Sequence, residues 1–321
     1  MARLIFIFLD GVGVGKAAGT NPFYAAKPRY LRFYEGADEL PGGVTIKGID
    51  PLLGVAGIPQ SATGQTSLFT GQNAPAVSGG HSGSYPNKMM RKIINEHNLL
   101  KKLSEKGFSA RFINVYPMAA DRFSCQDIAL DNQGDFHFSE NFPEQYKRRL
   151  SVTTCMLLAN RQAPFGLKRL LEKRAIYQDY SNKMLIKAGM QLPEYSPETA
   201  AEIIFSVSRE FDFILYEYFQ TDVYAHRSSF SECCELVSEL DRLIGKLVSL
   251  LDKEQDTLLI TSDHGNLEDY PDRSHTLNPV PLFIWGRGGA ELLEKIDSIA
   301  AVTPGIVEFF AAGKSAPTAA R

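Results

Sequence analysis

The sequence predicts an α/β fold: a mostly parallel sheet flanked by helices, with a small, largely helical inserted cap. Three observations point there. Leu4 to Leu9 is an unbroken apolar run of strand length, as in a central strand buried on both faces. Later runs of the same kind alternate with segments of helical period, the order of β-α units. Several runs end in polar turns carrying Asp or His, and the C-terminal edge of such a sheet is where sites are built.

The elements follow in order. "NLLKKLSEKGFSARFINVYP" reads as a helix stopped by Gly107 and a strand from about Ser109 to Val115. In "SPETAAEIIFSVSREFDFILYEYFQTD", Ser196 caps a helix that begins at Pro197, Glu198 and Glu202 lie near its positive end, and "DFILYEYF" is the next strand. "FSECCELVSELDRLIGKLVSLLDKEQ" has helical spacing, "DTLLITSDHG" is a strand running into a polar turn, "PVPLFIWG" another strand, and "VTPGIVEFFAAG" a last short helix. Between about Met118 and Tyr195 the alternation fades into a segment rich in Arg, Lys and aromatics, broken at "APFGLK". The expected organisation is a catalytic core of residues 1–117 and 196–321 with residues 118–195 inserted as a cap. The alternative is an elaborated loop and helix of the same domain.

The chain has 321 residues, enough for one large domain or two modest ones, and a formal net charge of −3. That charge argues against nucleic acid or an anionic membrane as partner. Cys125, Cys155, Cys233 and Cys234 have no paired metal-ligand spacing, so reduced thiols in the cytoplasm are the expectation. The opening "MARLIFIFLDG" carries Asp10 and reads as a strand, not a signal peptide, and no apolar run approaches the ~20 residues that span a bilayer.

The turn "DGVGVGK" invites a nucleotide reading that its spacing refuses. A phosphate-binding loop needs Gly, four residues, then Gly-Lys-Ser/Thr; here the first position is Asp10 and Ala17 follows Lys16. The dinucleotide pattern fails because no Gly stands three places after Gly13. What remains is Asp10, a carboxylate at the end of a buried strand.

Three later stretches join His to Asp or stand beside a strand: "TDVYAHR" with Asp222 and His226, "TSDHGNLED" with Asp263 and His264, and "RSHTLNPVP" with His275. Taken singly, each suits a solvated helix face, a capping Asp or a structural His. Together with Asp10 they supply three imidazoles and three carboxylates, a mixed N/O set that suits zinc or manganese and is enough for two metal ions. Ser61, ahead of "ATGQTSLFTG", reads as a hydroxyl where a turn enters a helix, a position that favours an arriving phosphate or sulfate; an ordinary N-cap is the alternative.

The motifs "FLDGVG", "SATG", "DVYAH", "DHGNLE" and "HTLNPVP" resemble, in order and character, the alkaline phosphatase superfamily, most closely its metalloenzyme branch with cofactor-independent phosphoglycerate mutase and phosphopentomutase. The resemblance implies two divalent ions, Mn2+ or Zn2+, and a nucleophile three residues before a Gly, which is Ser61. By the same resemblance Asp222, His226 and His275 hold one ion, and Asp10, Asp263, His264 and the Ser61 oxygen the other. It further implies phosphotransfer on a small phosphorylated metabolite through a phosphoserine, as mutase or hydrolase. The runners-up are phosphodiester or sulfate ester hydrolysis, though "SATGQ" lacks the C/S-x-P-x-R context of sulfatases, and a non-catalytic metal-stabilised binding protein. The mutases carry larger inserts with substrate-gripping arginines. Arg227 and Arg273 stand beside the core motifs here, and Arg122 is the expected substrate contact from the cap, with a local ion pair to Asp121 or Asp127 as the alternative.

Overall fold

The computed structural model describes residues 2–37, 40–116, 127–140 and 142–315. Its centre is a six-stranded sheet. In chain order the strands are β1 (Arg3–Leu9), β2 (Thr45–Ile49), β3 (Ala110–Phe112), β6 (Phe213–Tyr218), β7 (Asp256–Thr261) and β8 (Val280–Gly286), arranged across the sheet as β2-β8-β7-β1-β6-β3. A separate antiparallel pair, β4 (Ile128–Leu130) and β5 (Phe136–Phe138), lies in the middle segment.

β1 occupies the middle of the sheet, parallel to β6 on one side and to β7 on the other. Its continuous apolar run is explained by burial on both faces. Ile5, Ile7 and Leu9 enter one core with the helices Pro197–Ser208 and Phe230–Leu250, through Ala200, Ile204, Leu240 and Ile244. Leu4, Phe6 and Phe8 enter the other, with Leu68 and Phe69 of the helix Ser61–Thr70 and Val302 and Ile306 of the helix Ile299–Ser315. The result is three layers, helices on both sides of a sheet.

β8 is the exception to the parallel arrangement. It runs antiparallel to β7, so its start lies at the edge where β1, β6 and β7 end. Adjacent strands are about 4.8 Å apart, so the residues after β1, β6 and β7 and those before β8 gather along one short stretch of edge.

Differences from the sequence reading are local. The strand expected from about Ser109 to Val115 is regular only over Ala110–Phe112; Asn114 and Val115 instead make single bridges to Ile176 and Phe165. The edge strand β2 and the β4–β5 hairpin are too short to show a clear alternation. In the middle segment, Val152, Cys155, Met156 and Leu157 pack in one main core and Phe165, Leu170, Ile176 and Leu185 in the other. No helix among the described residues is long and apolar enough to cross a membrane.

The opposite edge of the sheet is clamped by Asp256, the first residue of β7. Its carboxylate accepts hydrogen bonds from Arg3 Nε at 2.8 Å, from Arg209 at 2.7 and 3.0 Å, and from the Asp252 N–H at 2.9 Å. Burial pushes its pKa up, but the bonds from Arg209, Asp252 and Arg3 outweigh it and hold the carboxyl below the ordinary Asp value. Asp256→Ala is therefore expected to lower the free energy of unfolding by about 2 kcal/mol at neutral pH. Because the folded-state pKa is depressed, that difference is complete above about pH 4 and shrinks as the pH falls through the folded-state value. Denaturant titrations of both proteins across this range measure it; a difference independent of pH contradicts the assignment.

Candidate metal centre

Asp10 follows β1 directly. The turn behind it needs Gly11, whose φ is +67° and whose added Cβ would stand 2.6 Å from Asp222 Oδ1. Asp222 and His226 lie on the short helix Gln220–Arg227 that follows β6, four apart and so on one face. Asp263 and His264 come two and three residues after β7, both fully buried. His275 precedes the antiparallel β8. Ser61 is the first residue of the helix Ser61–Thr70, one place further in than an N-cap.

The edge brings all seven together. The Ser61 Oγ lies 3.1 Å from His264 Nε2. That nitrogen is also 3.4 Å from Asp10 Oδ1 and 3.6 Å from Asp263 Oδ2. Asp222 Oδ1 is 3.4 Å from His226 Nε2 and 3.6 Å from His275 Nε2. The His264 and His275 rings stack with centroids 3.8 Å apart. Two groups have ligand atoms within 4.8 Å of one another: Asp10, Asp263 and His264, and Asp222, His264 and His275. His264 therefore stands between the groups, and His226 closes the second through Asp222.

Three features fit this set to divalent cations. First, each imidazole has its Nδ1 against a backbone carbonyl: His226 on Arg273 at 2.9 Å, His275 on Pro59 at 2.9 Å and His264 on Gly265 at 3.3 Å. Nδ1 is then the N–H donor, and every Nε2 turns its lone pair inward, as in metal-ligating histidines. Second, Asp10 Oδ1 and Asp263 Oδ2 are buried with no hydrogen-bond partner. Third, among the described residues no Lys or Arg pairs with Asp10, Asp222 or Asp263; their ion-pair partners are the histidines. Burial, then Asp263, Asp222 and Glu217, pushes the Asp10 carboxyl well above the usual range. Burial and the neighbouring His264 lower His275, which favours the neutral imidazole a metal requires.

Several supporting residues escaped the sequence reading. Asn266 Nδ2 donates to Asp222 Oδ1 at 2.7 Å and to His226 Nε2 at 3.0 Å. Gln65 Nε2 reaches Asp10 Oδ2 at 3.4 Å. Buried Glu268 accepts from the Gly13 N–H at 2.7 Å, the Asn266 N–H at 2.8 Å, Asn278 Nδ2 at 3.0 Å and the Thr276 hydroxyl. It thereby ties the Asp10 turn to the loop that carries His264 and His275. A Cβ at Gly13 would stand 2.2 Å from Glu268 Oε1, so part of the glycine alternation in "GVGVG" makes room for this carboxylate. Glu217, in the otherwise apolar β6, accepts from Thr153 Oγ1 at 2.9 Å, and burial, with Asp263 adding, raises its pKa to about 7. A charged residue inside a buried strand was the available signal for it.

Of the cationic candidates, Arg273 is engaged with Tyr270 and the Ser228 carbonyl, whereas Arg227 lines a cavity of about 650 Å3 that opens onto Asp10 and Ser61. Arg122 lies outside the described residues.

A family model described as the metalloenzyme superfamily matches residues 2–314. The 2,3-bisphosphoglycerate-independent phosphoglycerate mutase of Acetivibrio thermocellus is 30% identical over 133 residues, covering 37% of this chain and 26% of that protein. The enzyme of the same name from Pseudomonas putida is 33% identical over 111 residues, or 32% and 22%. The chain thus spans about a quarter of the length of the curated relatives it matches. Among solved structures, the PH0037 protein from Pyrococcus horikoshii matches with a TM-score of 0.54 at 12% identity over 99% of both chains. The alkaline phosphatase of the Antarctic bacterium TAB5 matches with a TM-score of 0.51 at 11% identity over 95% of this chain and 97% of that one. At these identities the two structures establish the fold alone.

Gly64 sets how closely the Ser61 helix approaches the metal-ligand loop. An added Cβ there would stand 2.8 Å from the Asp263 carbonyl oxygen and 3.0 Å from its Cβ. In an ordinary helix Gly→Ala is stabilising by about 1 kcal/mol. Gly64→Ala is expected to do the opposite, destabilising by about 1–3 kcal/mol through overpacking and displacing Ser61. Thermal unfolding measures the sign, and a raised melting temperature contradicts the close approach.

Proposed function

The chain belongs to the metalloenzyme superfamily, and on that premise we propose that it is a two-metal phosphotransfer enzyme acting on a phosphomonoester through a phosphoserine at Ser61. The observation that carries this reading is the Ser61 hydroxyl, 3.1 Å from His264 Nε2, at a helix start and facing the cavity. Asp222, His226 and His275 are proposed to hold one cation, and Asp10, Asp263 and His264, with the Ser61 oxygen, the other. The donor set of imidazole nitrogens and carboxylate oxygens, without thiolates, suits Zn2+ or Mn2+. When bound, such ions neutralise the carboxylates, favour the serine alkoxide and stabilise charge on the transferring phosphoryl group.

The chain's own residues account for the rest. The N–H groups of Ala62, Thr63 and Gly64 already donate to the carbonyls of Gly83, Ser82 and Gln60, which leaves the Ser61 N–H and the positive end of the helix to face the phosphoryl group. Ser61 Oγ, having lost its proton, attacks phosphorus; the bond to the ester oxygen breaks, and the departing alcohol oxygen takes up a proton. A water or a second hydroxyl then attacks the phosphoserine, loses its proton, and the Oγ–phosphorus bond breaks, after which Ser61 is reprotonated. Water as acceptor makes the enzyme a phosphatase, and a hydroxyl of the same substrate makes it a mutase. Glu217, on the wall of the same cavity with its pKa raised by burial, is placed to exchange protons there.

Ser61→Ala is expected to lower turnover of an aryl phosphate in the presence of Mn2+ or Zn2+ by about 10^3-fold or more, the order of loss when a nucleophile is removed from an otherwise intact site. Acid-quenched wild-type enzyme should carry one phosphate on Ser61 by peptide mass spectrometry, and the variant none. Phosphate on Thr63, or near-normal turnover by the variant, overturns the assignment.

A further inference from the structure

We propose that the alcohol portion of the substrate carries a bulky, largely apolar, ring-containing group and is not a three-carbon acid. The inference rests on the phosphotransfer reading and narrows its substrate class. It starts from the cavity of about 650 Å3 that has Asp10 and Ser61 in its wall. That volume falls within the range of about 300–1,000 Å3 of pockets that enclose drug-sized ligands. A phosphorylated three-carbon acid would leave most of it to water.

The lining agrees with the size. Tyr116, Tyr177 and Phe219 present rings, and Leu150, Leu157 and Leu185, all buried, present aliphatic surface. Aromatic side chains give large contact area to planar groups through offset or edge contacts. These walls come from several parts of the chain: Tyr116 beyond β3, Leu150 two residues before the helix Val152–Ala159 and Leu157 within it, and Phe219 just past β6. The apolar surface is therefore built by the packed fold.

Positive charge is sparse in the described wall. Among the described lining residues, Arg149 and Arg227 are the only Lys or Arg side chains; both are exposed, and neither has a hydrogen-bond or ion-pair partner. Exposed guanidinium groups of the same cavity suit the phosphate of the substrate. With both guanidiniums on that phosphate, a second anionic group against the buried leucines would meet no further Lys or Arg among the described lining residues, which is costly. A neutral ring system meets no such penalty and covers the wall.

The test is a series of phosphate monoesters of primary alcohols assayed with the metal-loaded full chain: glycerol 3-phosphate, 3-phosphoglycerate, 2-phenylethyl phosphate and 2-(2-naphthyl)ethyl phosphate. Binding of the matching phosphonates is measured by calorimetry in parallel. The expected result is a kcat/KM at least about tenfold higher for the naphthylethyl ester than for either three-carbon ester, with the phosphonates ranked alike. Leu158 is a further residue of the cavity wall; Leu158→Trp, which narrows the cavity, is expected to lower that ratio at least about fivefold, and if it melts early, Leu185→Phe takes its place. Equal or better use and binding of the three-carbon compounds overturns the inference, as does an unchanged ratio in a variant that melts like the parent. If no ester is turned over while the phosphonates still rank by bulk, the phosphotransfer reading fails and the cavity assignment stands.

Discussion

Three carboxylates crowded at one sheet edge, with imidazoles and, among the described residues, no Lys or Arg as their ion-pair partners, are the constraint on which this structure depends. Two like charges about 4 Å apart at an effective dielectric near 20 repel by about 4 kcal/mol. A fold that buries Asp10 and Asp263 together, leaves an oxygen of each without a hydrogen-bond donor, aims the His264 lone pair at them and turns those of His226 and His275 toward Asp222 is destabilised unless cations enter. The same arrangement that is costly without metal is a preorganised ligand set with it.

The topology makes the crowding possible. β1, β6 and β7 are neighbours and end at the same edge, and the reversed β8 begins there, so Asp10, the Asp222–His226 helix and the 262–279 loop that carries Asp263, His264 and His275 meet although they are far apart in the chain. Glycines then allow the approaches that side chains would block: Gly11 beside Asp222, Gly13 beside Glu268 and Gly64 beside Asp263. Glu268, with four hydrogen-bond donors, locks the loop geometry, so the candidate ligands sit on a frame fixed by a carboxylate outside their set.

Much of this was legible in the sequence because it is written locally. The apolar run before Asp10, the Asp222–His226 spacing and the Asp263–His264 pair announce strand ends and candidate ligands in a few residues each. Ser61 stood out only against its resemblance, since a serine near a helix start is common. The residues that escaped depend on register between distant segments. Gln65, Asn266 and Glu268 look like ordinary polar residues until the β1 and β7 edges are superposed, and Glu217 is conspicuous only once β6 is known to be buried on both faces. The short strands β2, β4 and β5 carry too few residues to show a period. In the middle segment, Leu157 and Leu185 enter different main cores, which composition does not reveal.

The central claim is that the edge holds two divalent cations. The most direct measurement is calorimetric titration of chelator-treated protein with Zn2+ or Mn2+, with bound ions counted by elemental mass spectrometry. The account predicts two ions per chain, a higher melting temperature once they are bound, and loss of at least one ion in Asp263→Asn. Binding of no ion or of a single ion, or full binding by Asp263→Asn, would contradict it.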